Sequence, residues 1–136
     1  MIYGKYGLCA IKAYEKMQNG IDGLYAWQDS AQEVFGDTPS AKKGCPKNAF
    51  LGIFGLAKRH SKNADYALNA IEIIKNIPLE KLQNLKPSKF WRDYMGMTIS
   101  YNSQIDVVFA LLDIGSFCCG NERYKFQFKN QTYRKS

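Results

Sequence analysis

Short runs of apolar residues at spacings of three and four recur along this chain, and each run is cut by a glycine, a proline or an asparagine-glycine step. Apolar positions with that period form one face of an α-helix, and the punctuation keeps the helices short. A chain built this way has to bury its helical faces against one another. Tyr6, Ala10, Ala13 and Met17 predict a first helix over about 3–18, ended by Asn19-Gly20. Asp22 is placed to cap a second carrying Leu24, Trp27, Ala31, Val34 and Phe35, and Gly36-Asp37-Thr38-Pro39-Ser40 breaks the chain again. In KKGCPKNAFLG, residues 42–52, Pro46 predicts the first position of a third helix reaching about residue 57, which makes Cys45 its N-cap.

A fourth helix opens at Asn63 or Asp65 and runs through Tyr66, Ala67, Ala70, Ile71 and Ile74 to about Asn76. Leu79, Leu82 and Leu85 predict one or two further turns, and Pro87-Ser88 leads a short helix with Phe90, Trp91 and Tyr94, closed by Gly96. Ser103 followed by Asp106 reads as a capping box with aspartate at its last position, ahead of Val107, Val108, Leu111 and Leu112, with Gly115 at the C-terminal end. Beyond it, YKFQFKNQTY alternates with period two but has no partner strand, so the end reads as extended. The fold class expected is all-α, about six helices, with one helical domain over 1–118 and a basic extended tail over 119–136. At 136 residues the chain is long enough for one core and too short for two ordinary domains.

YGLCAIKAYEK (6–16) and YALNAIEIIK (66–75) share Tyr, Leu, Ala and Ile at four corresponding places, sixty residues apart. Each half then has one tryptophan, Trp27 or Trp91, and a capped apolar helix, CPKNAFLGIFGL or NSQIDVVFALLD. The economical reading is two pseudo-repeated three-helix units, about 3–58 and 63–115, since a single unit is too small to bury its own apolar faces. Chance matching of ordinary core residues is the plainer alternative. In a duplication Cys45 and Asn102 are equivalent helix starts, each presenting free backbone N–H groups and the positive end of a helix dipole. Two glycines inside the third helix, Gly52 and Gly55, cost about 1 kcal/mol each relative to alanine and mark close approach of another backbone or of a ligand.

The formal charge of +7 is unevenly distributed. Lys42, Lys43, Lys47, Lys58, Arg59 and Lys62 stand between Asp37 and Asp65 with no acid among them, and Arg123, Lys125, Lys129, Arg134 and Lys135 oppose Glu122 alone. Such stretches favour an anionic partner, or serve only as a solvated surface. The most apolar window, IDVVFALLDIGSFCC, is interrupted by Asp106 and Asp113, so no membrane span is expected, and MIYGKYGL does not read as a signal peptide. Cys9, Cys45, Cys118 and Cys119 lack metal-ligand spacing, and reduced thiols in a cytoplasmic protein are the expectation.

Cys45 is the candidate nucleophile, because a helix N-terminus and a nearby Lys47 favour the thiolate. Its base is harder to supply: a continuous helix would place His60, the single histidine, roughly 22 Å away. Asp106 is the other candidate catalytic group, with capping as its plainer role. Gly44, Lys47, Asn102, Ser103 and Gln104 are the candidate ligand contacts at the two helix starts, and Lys42, Lys43 and the five tail cations the candidate contacts to nucleic acid or an acidic protein. No metal site, cofactor motif, phosphate loop or DNA-recognition helix is read.

The motifs YGLCAIKA, GCPKNAFLGI and NSQIDVVFAL resemble those of a family of small bacterial helical proteins of uncharacterised function, whose patterns are YG-x-x-A, GCPK-x-AFLGL and NSQ-x-DVV-x-AL. The resemblance spans about 3–115; where the family continues after AFLGL with a cysteine, acidic residues and GLVKGI, this chain has FGLAKRH. It implies the helical architecture and no particular reaction. The expected function is therefore a small cytoplasmic binding module for an anionic ligand, nucleic acid or an acidic protein face. A cysteine-dependent enzyme using Cys45 is one alternative, and a mobile-element accessory or inhibitor protein acting by protein–protein contact is the other.

Overall fold

A computed structural model describes residues 3–58 and 61–114 of the chain, and these are helical, with no strand among them. The helices are α1 (Lys5–Gln18), α2 (Gly23–Phe35), α3 (Gly44–Ile53), α4 (Lys62–Ile74), α5 (Leu79–Leu82), α6 (Pro87–Lys89) and α7 (Gln104–Asp113). A 3₁₀ turn, Pro39–Lys42, leads into α3, and α6 continues as one π turn, Phe90–Tyr94. No helix among the described residues is long and apolar enough to cross a membrane. The tail, and with it Arg123, Lys125, Lys129, Arg134 and Lys135, lies outside the described residues, as do His60, Gly115, Cys118 and Cys119.

The last helix is the centre of the molecule. Ile105, Val107, Val108, Phe109, Ala110 and Leu111 of α7 are completely enclosed, so apolar residues point in every direction from its axis, as in a helix with neighbours all round. Those neighbours are α1, α3, α4 and α6. α1 buries a stripe of small residues, Cys9, Ala10 and Ala13, and packs against both α7 and α2. Burial holds the Cys9 thiol up at about 11, so this cysteine is inert packing. Trp27 packs on Phe50 with ring centroids 5.2 Å apart, and Trp91 meets Tyr66 edge-on at 5.1 Å, so both tryptophans are core residues.

Three of the four aligned pairs of the two halves agree in burial, whereas Ile11 is half-buried and Ile71 buried. Leu8 and Leu68 are both exposed, Ala10 and Ala70 both enclosed, and α3 lies on α4 as α7 lies on α1. A duplication requires such pairings, although Trp27 stands in the thirteen-residue α2 and Trp91 in a π turn.

Several helix ends differ from their sequence reading. α3 begins at Gly44 with Lys43 as its N-cap residue, so Cys45 is a first-turn residue and not the cap. Proline tolerates any place in that turn, since none of the first N–H groups has a partner within the helix, and Pro46 therefore does not mark its first position. α3 also stops at Ile53 rather than near 57. The Leu56 N–H bonds Leu51 O at 2.7 Å and the Gly55 N–H bonds Gly52 O at 3.1 Å, with Gly55 at φ +73°, which is a Schellman ending. Because Gly55 alone in this turn takes a left-handed conformation, Gly55→Ala is expected to cost about 1–2 kcal/mol in urea unfolding. An unchanged midpoint would show that the turn is not held this way.

Ser61, rather than Asn63 or Asp65, caps α4, its Oγ accepting the Ala64 N–H at 3.2 Å. Ser103 does not form the expected capping box. Its backbone sits at φ +67°, and its side chain makes no cap bond.

Candidate binding site

The start of α3 opens on a cleft of about 330 Å³ lined by Trp27, Gln28 and Gln32 of α2, by Ala41 and Lys42 of the 3₁₀ turn, and by Lys47. Gln28 and Gln32 are four apart and so share a face of α2, while the turn at Pro39–Lys42 carries Lys42 over to it. Lys42 and Lys47 make no ion pair among the described residues. No side chain caps α3, so the positive end of its dipole faces this region uncompensated. Gly44 is exposed beside it, Lys43 is exposed, and Cys45 is half-buried. A Cβ added at Gly44 would meet only Asn48 Nδ2, at 3.6 Å, so the backbone here is open to approach.

The start of α7 is arranged differently, because its Asp106 N–H is already taken by a neighbouring side chain. The Tyr101 hydroxyl accepts the Asp106 N–H at 2.7 Å, which is the capping role expected of Ser103, and donates in return to Asp106 Oδ1. The Asp106 carboxylate also accepts the Gly4 N–H, tying the start of α7 to that of α1. Burial pushes Asp106 above the usual carboxylate range, opposed by the Tyr101 and Gly4 hydrogen bonds, and burial with the Asp106 charge pushes Tyr101 upward. Gln104 is buried with its amide satisfied at both ends: Oε1 accepts the Asn102 N–H at 3.0 Å, and Nε2 donates to Asn63 Oδ1 at 2.9 Å. Asn102 and Ser103 are half-buried.

Asp106 lines a second cleft, of about 380 Å³, with Tyr3, Gly4, Lys86, Ser88 and Tyr101. It shares no residue with the cleft at α3. The two helix starts thus open on separate clefts, one basic and one with a carboxylate. Among the described residues no group of histidine, cysteine, aspartate and glutamate is arranged to hold a metal ion.

Tyr101, Lys86, Ser88, Gln28 and Gln32 had no sequence signal as site residues. Tyr101 lies five residues before Asp106, outside any capping pattern, and Gln28 and Gln32 read as the polar face of an ordinary surface helix.

No curated protein and no solved structure matches the chain significantly. A family model does match over residues 3–117, and the chain belongs to that family, the family of unknown function DUF6979.

Proposed function

We propose that this member of the family is a small-anion-binding module, with its ligand seated in the cleft between α2 and the start of α3. The observation that carries the reading is the convergence of Lys42 and Lys47, both without ion-pair partners among the described residues, on one cleft of about 330 Å³ that also holds two side-chain amides. Two ammonium groups supply charge, Gln28 and Gln32 supply oriented donors, and the α3 dipole adds about 0.3–1 kcal/mol for a bound anion. Trp27 and Ala41 give the cleft an apolar wall, so an anion attached to a ring or a short hydrocarbon fits better than a bare ion. Cations on this face also suit a polynucleotide or an acidic protein surface, but a concave site of this size favours a small molecule.

The test is calorimetric titration with phenyl phosphate at low salt. Lys42→Ala and Lys47→Ala are each expected to weaken binding about tenfold, or about 1.4 kcal/mol. Both lysines reach solvent, so the fold should not change. Phenol, which lacks the charge, should not bind. Equal affinities for the wild type and both variants would dismiss the reading. Cys45→Ser should leave binding intact, since the thiol is not needed to hold an anion; a chemical turnover abolished by that change would instead favour the cysteine-dependent enzyme.

A further inference from the structure

The cleft containing Asp106 does not end at Tyr101. A neighbouring cavity of about 460 Å³ is also lined by Ser88 and Tyr101, so the two adjoin there as lobes of one groove. Arg92, Thr98 and Ser100 line the second lobe. The lobes differ in charge: Asp106 stands in the first and the Arg92 guanidinium in the second, with Lys86 exposed at the edge of the first.

None of these three charged groups is ion-paired among the described residues. The acid beside Arg92 in sequence, Asp93, is engaged by Lys89 at 2.8 Å. Asp106 already accepts from Tyr101 and Gly4, yet a carboxylate has about four acceptor positions, so two donors leave room for more.

We propose that the groove past Tyr101 is a second ligand site, for a small zwitterion of the α-amino-acid or dipeptide type. Its ammonium end sits in the first lobe, against the Asp106 carboxylate, where the rings of Tyr3 and Tyr101 also line the wall and attract a cation through their π faces. Its carboxylate end sits in the second lobe, on the planar donor fork of Arg92, with Ser100 and Thr98 hydroxyls beside it. Two cations against one carboxylate disfavour a ligand with net positive charge, and Asp106 disfavours one with charge only at the negative end.

The walls of this groove are preformed. The Trp91 indole N–H donates to Ile99 O at 3.0 Å and the Met97 N–H to Trp91 O at 3.1 Å, pinning the segment 97–100 to the π turn. A π turn on one side and Ser103 at φ +67° near the other are irregular backbones, both of which concentrate at binding sites. Rigid walls reduce the ordering cost of binding.

Amide chemical-shift titration of the full chain with glycylglycine tests the site. Shifts are expected at Ser88, Arg92, Ser100 and Tyr101, with affinity at least tenfold lower for N-acetylglycylglycine and for glycylglycinamide, which lack one charge each. Arg92→Gln changes an exposed side chain, and should weaken glycylglycine about tenfold while leaving the amide unchanged. Asp106→Asn retains an acceptor for Tyr101 and tests the ammonium end, but the blocked peptides test it without touching the fold. No shifts in the groove at saturating glycylglycine, or equal affinity for the zwitterion and both blocked forms, would overturn the proposal. Loss of phenyl phosphate binding at α3 would leave it standing, since the two clefts share no residue.

Discussion

Replacing Gly52 by alanine should lower the unfolding free energy by about 2 kcal/mol, although alanine is the better helix former. Gly52 is buried in α3 where that helix crosses α4. A Cβ there would lie 2.4 Å from the Cβ of Ala64 and 2.6 Å from its Cα. A backbone atom cannot rotate away as the end of a long side chain can, so α4 must move as a unit and give up packing against α7. The propensity gain, about 1 kcal/mol, is smaller than the upper range of overpacking costs. Thermal unfolding should show the loss as a fall of roughly 10 °C in Tm. Ala64→Gly in the same chain removes the nearer contact but not the Cα, so it should recover only part of the loss. A Gly52→Ala protein as stable as the parent would mean that the helices are farther apart than described.

The second large effect is expected at Tyr101. Tyr101→Phe keeps the ring but removes the acceptor of the Asp106 N–H and the donor to its carboxylate, at a cost of about 2–3 kcal/mol near pH 7. The cost should depend on pH in a definite direction. Burial raises the folded-state pKa of Asp106 above its unfolded value, so the folded chain holds this proton more tightly. Its contribution to stability is complete below the unfolded value of about 3.8 and declines as pH rises through the folded one. The Tyr101 hydrogen bond opposes that decline by favouring the ionised form. Without it the folded pKa moves higher, so Tyr101→Phe should destabilise more at pH 7 than at pH 3. Urea midpoints at both pH values check this, and a pH-independent loss would show that Tyr101 acts only as a cap.

Much of the architecture was legible because it rests on local rules. The periodicity of Tyr6, Ala10, Ala13 and Met17 placed α1, Asp22 caps α2 as its residue type suggests, and Val107, Val108, Leu111 and Leu112 placed α7. Two of the misread ends, the close of α3 at Gly55 and the cap of α4 at Ser61, rest on local groups whose role the periodicity does not single out. The starts of α3 and α7 were decided by groups outside the pattern. Pro46 is compatible with several first-turn positions, and only the turn at Pro39–Lys42 shows that α3 starts earlier. Ser103 is a common capping residue, but its left-handed backbone turns the cap over to Tyr101.

Sequence by itself determined that the described residues are all-helical, where most of the helices lie, and that Lys42 and Lys47 flank a helix start, since these follow from spacing and residue type along a few turns. Tertiary structure alone decided that Gly52 is where two backbones meet, which is set by the position of Ala64, whereas Gly55 is a turn closed by its own neighbours in sequence. It also decided that the starts of α3 and α7 open on different clefts, the first left uncapped beside two lysines and the second closed by Tyr101. The reason is reach. Backbone preferences act over about four residues, whereas a cleft is made by side chains brought together from separate helices when the apolar faces are buried.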